Sequence, residues 1–141
     1  MSTTEWTRGA FRISCDPARL DFEVIHTYLT RSYWKAGVSR DQVEAAARGS
    51  MCFGVYHHET QVGYARVIGD RSDFAYLADV FILEAYQGKG LGKWLMTVIF
   101  AHPELAQIKN WLLRTADAHG LYAQFGFHAI SNPGTLMERR T

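Results

Sequence analysis

Between an apolar run and an amphipathic stretch the chain reads EAYQGKGLGKWL, Glu84 to Leu95, with glycines at 88, 90 and 92 and lysines at 89 and 93. Glycine where a helix begins costs backbone entropy, so such a cluster marks a backbone that must take positive φ or admit a close neighbour. The first amides of a helix lack intrahelical partners and lie at the positive end of its dipole. A bare glycine turn there makes an anion site, with phosphate the usual occupant. Two nucleotide motifs fail on named residues. A Walker loop needs glycine where Gln87 stands and Ser or Thr where Trp94 stands, and the G-x-G-x-x-G pattern meets Lys93 in place of its third glycine.

Other side chains able to do chemistry are scattered. Asp79 falls on the alternating row of Leu77, Phe81 and Leu83, and an acid among such neighbours is either paired or held with a raised pKa. Two readings stand side by side: an ion pair with Arg66 on a neighbouring strand, and a general base. His57 and His58 are adjacent in a predicted hairpin, with no third ligand in reach, and read as solvated turn residues rather than metal ligands. Cys15 and Cys52 form no C-x-x-C pair and read as free, mostly buried thiols. Tyr28, Tyr33 and Trp34 are aromatics at helical spacing, which more often serve the core.

These residues need elements to hold them. AFRIS predicts a brief strand. An Asp-Pro opening and helical spacing of Leu20, Val24 and Tyr28 predict one helix over DPARLDFEVIHTYLTRSYW, and Ser39 and Gly49 bracket a second. From Ser50 to Leu83, three apolar and β-branched runs separated by HHET and GDRSD predict an antiparallel meander. Leu91, Trp94, Leu95, Val98 and Ile99 then form the stripe of a helix that ends before Pro103. NWLLRT reads as a short strand, DAHGLYAQF as a compact helix, GFHAI as another strand and GTLMER as a possible last one. The order predicts an α+β domain over residues 1–141, with no linker or repeat.

At 141 residues and 48% hydrophobic content the chain can bury one sizeable core and is too short for two ordinary domains. A formal charge of +1 argues against a nucleic-acid footprint and against electrostatic attachment to a membrane. MSTTEWTRGA lacks the apolar core of a signal peptide and no run approaches membrane-spanning length, so a cytoplasmic protein with small-molecule partners is expected.

Gln87, Gly90 and Gly92, preceded by the apolar LADVFIL, match Gln/Arg-x-x-Gly-x-Gly/Ala. This resembles the pyrophosphate loop of the GNAT superfamily, the acyl-CoA-dependent N-acyltransferases. Downstream, HGLYAQFGF is similar to the family's Tyr-x-x-x-Gly-Phe signature through Tyr122, Gly126 and Phe127. The resemblance covers roughly residues 50 to 130. One departure is Thr115, which stands where the family usually has Asn, three residues before the retained Ala118.

The resemblance implies a mixed, mostly antiparallel sheet of roughly six to seven strands flanked by about four helices. It also implies a splay between the family's fourth strand, here Phe74 to Leu83, and its fifth, here Trp111 to Arg114. The pantetheine of acetyl-CoA would lie in that splay against the backbone of Phe81, Ile82 and Leu83. Its pyrophosphate would sit on the loop Gln87, Gly88, Lys89, Gly90, Leu91, Gly92 and Lys93, with Ala118 and Phe125 also at the cofactor. Tyr122 would protonate the leaving thiolate, and a β-strand amide near Phe81 would hold the oxyanion. The base is open among Asp79, His119 and Asp117, the last also a simple N-cap. Tyr28, Tyr33 and Trp34 would line the acceptor site.

The implied activity is direct transfer of acetyl from acetyl-CoA to a primary amine of a small molecule or peptide, without a metal. The other reading is a non-catalytic acyl-CoA sensor or interaction module. A homodimer is among the expectations.

Overall fold

In the computed structural model, which describes residues 4–141, the chain builds one mixed sheet of six strands in the order β1-β2-β3-β4-β5-β6. The strands are β1 (Glu5–Arg8), β2 (Phe11–Ser14), β3 (Met51–His57), β4 (Thr60–Gly69), β5 (Phe74–Ile82) and β6 (Asn110–Leu113). The helices are α1 (Phe22–Leu29), α2 (Arg40–Arg48), α3 (Leu91–Ala101) and α4 (His119–Ala123). Every neighbouring pair is antiparallel except β5 and β6, which run parallel. Residues 1–3 of the predicted domain lie outside the described residues. Among the described residues no helix is long and apolar enough to cross a membrane.

Alternation sends Phe53, Val55, Val67, Ala75 and Leu77 to one face, where Leu91, Leu95, Met96 and Ile99 of α3 cover them together with Tyr122 of α4. The opposite face carries Cys52, Tyr64 and Phe81 against Ile25 and Leu29 of α1 and Val43 and Ala47 of α2. Both helices on that face start on side-chain caps. Asp21 accepts from the amides of Glu23 and Val24, and Ser39 and Gln42 form a reciprocal capping box. Gln61, buried in β4, accepts the Asp21 amide at 2.7 Å and so ties the start of α1 to the sheet. The α3 stripe follows the sequence pattern, except that Trp94 is half-buried while Met96 is fully enclosed.

Several expectations are corrected here. The long first helix divides into a 3-10 turn, Pro17–Arg19, and α1, which begins afresh at Asp21 and ends at Leu29. Ser32 Oγ donates to the Leu29 carbonyl at 2.7 Å and accepts the Lys35 amide, a local bonding pattern that replaces the next helical turn. Tyr33 and Trp34 therefore lie in a loop and not on a helix. The sequence reading missed β1, a four-residue strand whose one large apolar side chain, Trp6, stacks on Phe53 at 6.4 Å. His57 ends β3 half-buried, stacked on Phe11 at 4.8 Å with Nδ1 3.2 Å from the Tyr86 hydroxyl, and only His58 takes the turn, at φ 56°.

GFHAI and GTLMER are not strands. Gly126 turns the chain at φ 91°, Phe127 packs inward, and every residue from His128 onward is exposed, with a 3-10 turn at Pro133–Thr135. No alternating face in that tail is buried, so nothing there pays the entropy of pairing with β6. Cys15 and Cys52 are free, and burial raises both thiols, Cys15 to about 12.

Candidate functional site

The parallel pairing of β5 and β6 runs from Phe74↔Asn110 to Leu77↔Leu113 and stops there, while β5 continues to Ile82. A wedge opens between the two strands. Just beyond its apex β5 bulges: Ala78 pairs with Arg66 and Phe81 with Tyr64, so Asp79 and Val80 together oppose Ala65. Asp79 adopts φ 55°, a left-handed conformation that Asp tolerates better than most residues. The extra residue inverts the alternation. Leu77 faces α3 and Phe81 faces α1, which corrects the expectation that Leu77, Asp79 and Phe81 share one face.

Asp79 points to the α1 side. Its Oδ2 accepts from Arg66 Nε at 2.5 Å and its Oδ1 from Trp34 Nε1 at 3.0 Å, while Arg66 Nη1 also donates to Ser50 at 3.1 Å. With Asp79 and Arg66 both buried, the ion-pair reading of the sequence is the arrangement present. The amide of Leu83 donates to the Val62 carbonyl on β4 at 2.8 Å, so strand alternation turns the backbone of Ile82 toward the wedge.

At the wide end of the wedge lies the glycine loop. Gly88 and Gly90 take φ 80° and 81°, and Gly90 is the N-cap of α3 with no side chain capping it. Among the described residues, the backbone bonds of turns and caps include none donated by the amides of Gly88 to Gly90, and those of Leu91 to Lys93 belong to the unpaired first turn of α3. A Cβ on Gly88 or Gly90 would meet nothing within 4 Å, so both glycines serve conformation and clearance and not close packing. Lys89 and Lys93 are exposed beside the loop, and Leu91 buries its side chain in the core and leaves only its amide. Gln87 is the exception: its Nε2 donates back to the Ile82 carbonyl at 2.9 Å and its amide to Glu84, so it anchors the loop to β5.

From α4, which follows β6, comes Tyr122. Its ring is buried, packed edge-on to Phe127 at 6.0 Å, and its hydroxyl, which bonds no described residue, is not sealed from solvent. Burial, with Tyr33 and Asp117 nearby, pushes its phenol up to about 12 from the ordinary 10. Thr115 holds the turn before α4 by accepting the Ala118 amide at 3.0 Å, so Thr115, not Asp117, caps this segment. Ala118 is the N-cap residue of α4 and spends its carbonyl on Leu121 and Tyr122. His119 is exposed at the start of α4. Phe125 packs on Phe100, 5.8 Å away near the far end of α3, and lines a separate cavity of about 560 Å³ with Trp111 and Phe127.

The predicted aromatic residues do converge. Tyr28 stacks on Phe81 at 4.1 Å and 9°, and Trp34 lies 6.3 Å from Tyr28 and 5.1 Å from Tyr33. Tyr33 reaches across to accept the Ala116 amide at 2.9 Å, which bridges the loop after α1 to the β6–α4 connection. Sequence reasoning missed this bridge and the bond from Trp34 to Asp79, because both join segments far apart in the chain. The resulting groove has an open strand edge and bare amides at one end. It suits an elongated ligand that carries amide-like groups and an anionic tail.

A family model described as an acetyltransferase (GNAT) domain matches residues 48–129, which span β3, the bulged strand, the glycine loop and α4. The chain belongs to the GNAT acetyltransferase family. A crystal structure of a GNAT-family protein from Xanthomonas campestris pv. campestris, provisionally named an acetyltransferase, is 41% identical with a TM-score of 0.90 and 93% of each chain covered. A Gibberella zeae protein, also an acetyltransferase by provisional name, is 33% identical over 84% of this chain and 79% of its own length. The glucosamine-6-phosphate N-acetyltransferase of Arabidopsis thaliana is 14% identical with a TM-score of 0.62, covering 92% of this chain and 97% of that one, a likeness of fold alone. The GNAT fold expected from the sequence is thus the fold present, with its splay at β5 and β6.

Proposed function

We propose that this GNAT protein transfers an acetyl group from acetyl-CoA directly to a primary amine. The observation that carries the reading is the wedge between β5 and β6 leading into a loop of unpaired amides. An extended pantetheine arm with two amides can bond the free edge of β5 near Ile82, as an added strand would, and a pyrophosphate fits the amides of Gly88 to Lys93. Lys89 and Lys93 add positive charge at that end.

The amine nitrogen attacks the thioester carbonyl as its neutral form, a β5 amide beside the bulge stabilises the developing oxyanion, and the C–S bond breaks with the thiolate taking the Tyr122 proton. A phenol raised to about 12 stays protonated at neutral pH and holds that proton ready. Both carboxylate oxygens of Asp79 are engaged, so we assign it to hold the bulge and Trp34 in place, with the amine proton leaving through water.

The chain acts in this reading as a single domain in the cytoplasm. The experiment is a thiol-release screen of primary amines with acetyl-CoA, read beside a binding titration of CoA. Release with any amine supports transfer. Tight CoA binding with no release across the panel would make the chain an acyl-CoA sensor instead.

A further inference from the structure

Three separated segments meet at the mouth of the cleft. The Tyr33 hydroxyl lies 3.5 Å from Asp117 Oδ1 and accepts the Ala116 amide, and its ring stands edge-on to Trp34. Tyr33 is 58% exposed beside the exposed Asp117 carboxylate, and Trp34, 37% exposed, stands next to Tyr33 and keeps part of its ring open. Near them lies Tyr122, whose ring is buried and whose hydroxyl, bonded to no described residue, is left in contact with solvent; Tyr33 and Asp117 both act on it.

The charge that lies against Tyr33 is the Asp117 carboxylate, with Lys35 and Arg31 on the same loop as Tyr33 and Trp34. Asp79 is neutralised by Arg66, whereas Asp117 and Glu84 both act on the Tyr28 phenol, opposed by Arg31. Arg31 is itself turned to the Thr27 carbonyl, 3.0 Å from its Nε. Aromatic faces beside a carboxylate attract organic cations and disfavour anions. The reacting nitrogen must lose its proton before attack, and a carboxylate next to it would keep it charged. Asp117 therefore fits a positive group other than the one that reacts.

Resting on the acetyl-transfer reading above, we propose that the acceptor is a small diamine: one primary amine reacts at Tyr122 while Asp117 holds a second cationic group against Tyr33 and Trp34. The test uses diaminobutane, aminobutanol and aminobutanoate, acceptors of one chain length that differ only at the end remote from the reacting amine. We expect kcat/KM for the diamine about tenfold above the alcohol, carried by KM, with the acid poorest. Asp117→Asn collapses that preference and Asp117→Glu restores it. Equal turnover of the three, or a preference that survives Asp117→Asn, overturns the diamine assignment and leaves acetyl transfer standing. No thiol release from any of them, at saturating acetyl-CoA and across a wider amine panel, removes both readings.

Discussion

Substituting Gly90 by Val separates the two duties of the glycine loop. Gly90 has φ 81° and ψ 10°, and nothing lies within 4 Å of the Cβ it lacks. The cost to folding is therefore conformational, about 1–2 kcal/mol for placing an L-residue in the left-handed region, and somewhat more for a β-branched one. At about 2–4 °C per kcal/mol for a chain of this size, the melting midpoint falls by several degrees and the fold persists. Binding suffers more, because the valine methyls enter the space onto which the bare amides open. Displacing a diphosphate from two charge-assisted amide bonds removes about 1.5–3 kcal/mol each, a loss of at least about a hundredfold in affinity. Calorimetric titration of acetyl-CoA into the folded variant, checked by circular dichroism, measures it. Wild-type affinity in a folded Gly90→Val chain would refute the reasoning and return the glycines to the role of a turn.

Three further outcomes follow from buried groups. Arg66→Met leaves the Asp79 carboxylate buried with only the Trp34 donor, and urea unfolding should show a loss of about 3–5 kcal/mol, with part of it recovered in Arg66→Met/Asp79→Asn. Cys15, raised to about 12, and Cys52, raised by burial, should resist a disulfide reagent at neutral pH in the native chain and react on unfolding; fast native labelling would contradict this. Tyr122 has a folded pKa above its unfolded value, so its contribution to stability is whole below pH 10 and lost as pH rises toward 12. Phenolate absorbance of wild type minus Tyr122→Phe should accordingly titrate near 12, and a midpoint near 10 would show that the phenol is solvated.

The glycine loop was legible because its requirement is for a residue type: positive φ and bare amides leave glycines in the sequence itself. The strands of the meander and the α3 stripe were legible for a related reason, since burial on one face imposes a period. The bulge was not. Asp79 has no composition signal for φ 55°, and one inserted residue exchanged the faces of Leu77 and Phe81, which strict alternation had placed together. Trp34 and Tyr33 were readable as site residues only through the family resemblance, because their helical spacing continues past a helix that Ser32 ends. The C-terminal tail misled in the opposite sense. GFHAI has strand composition, but within it only Phe127 finds apolar partners, and composition alone does not reveal that the face is unpartnered.

The central claim is that Tyr122 gives its proton to the departing thiolate of acetyl-CoA bound in the wedge. The direct measurement is single-turnover release of CoA thiol to an accepted amine by wild type and by Tyr122→Phe, with acetyl-CoA affinity determined for both. The account predicts a rate lower by about a hundredfold or more at nearly unchanged affinity. Release at the wild-type rate from Tyr122→Phe would contradict it.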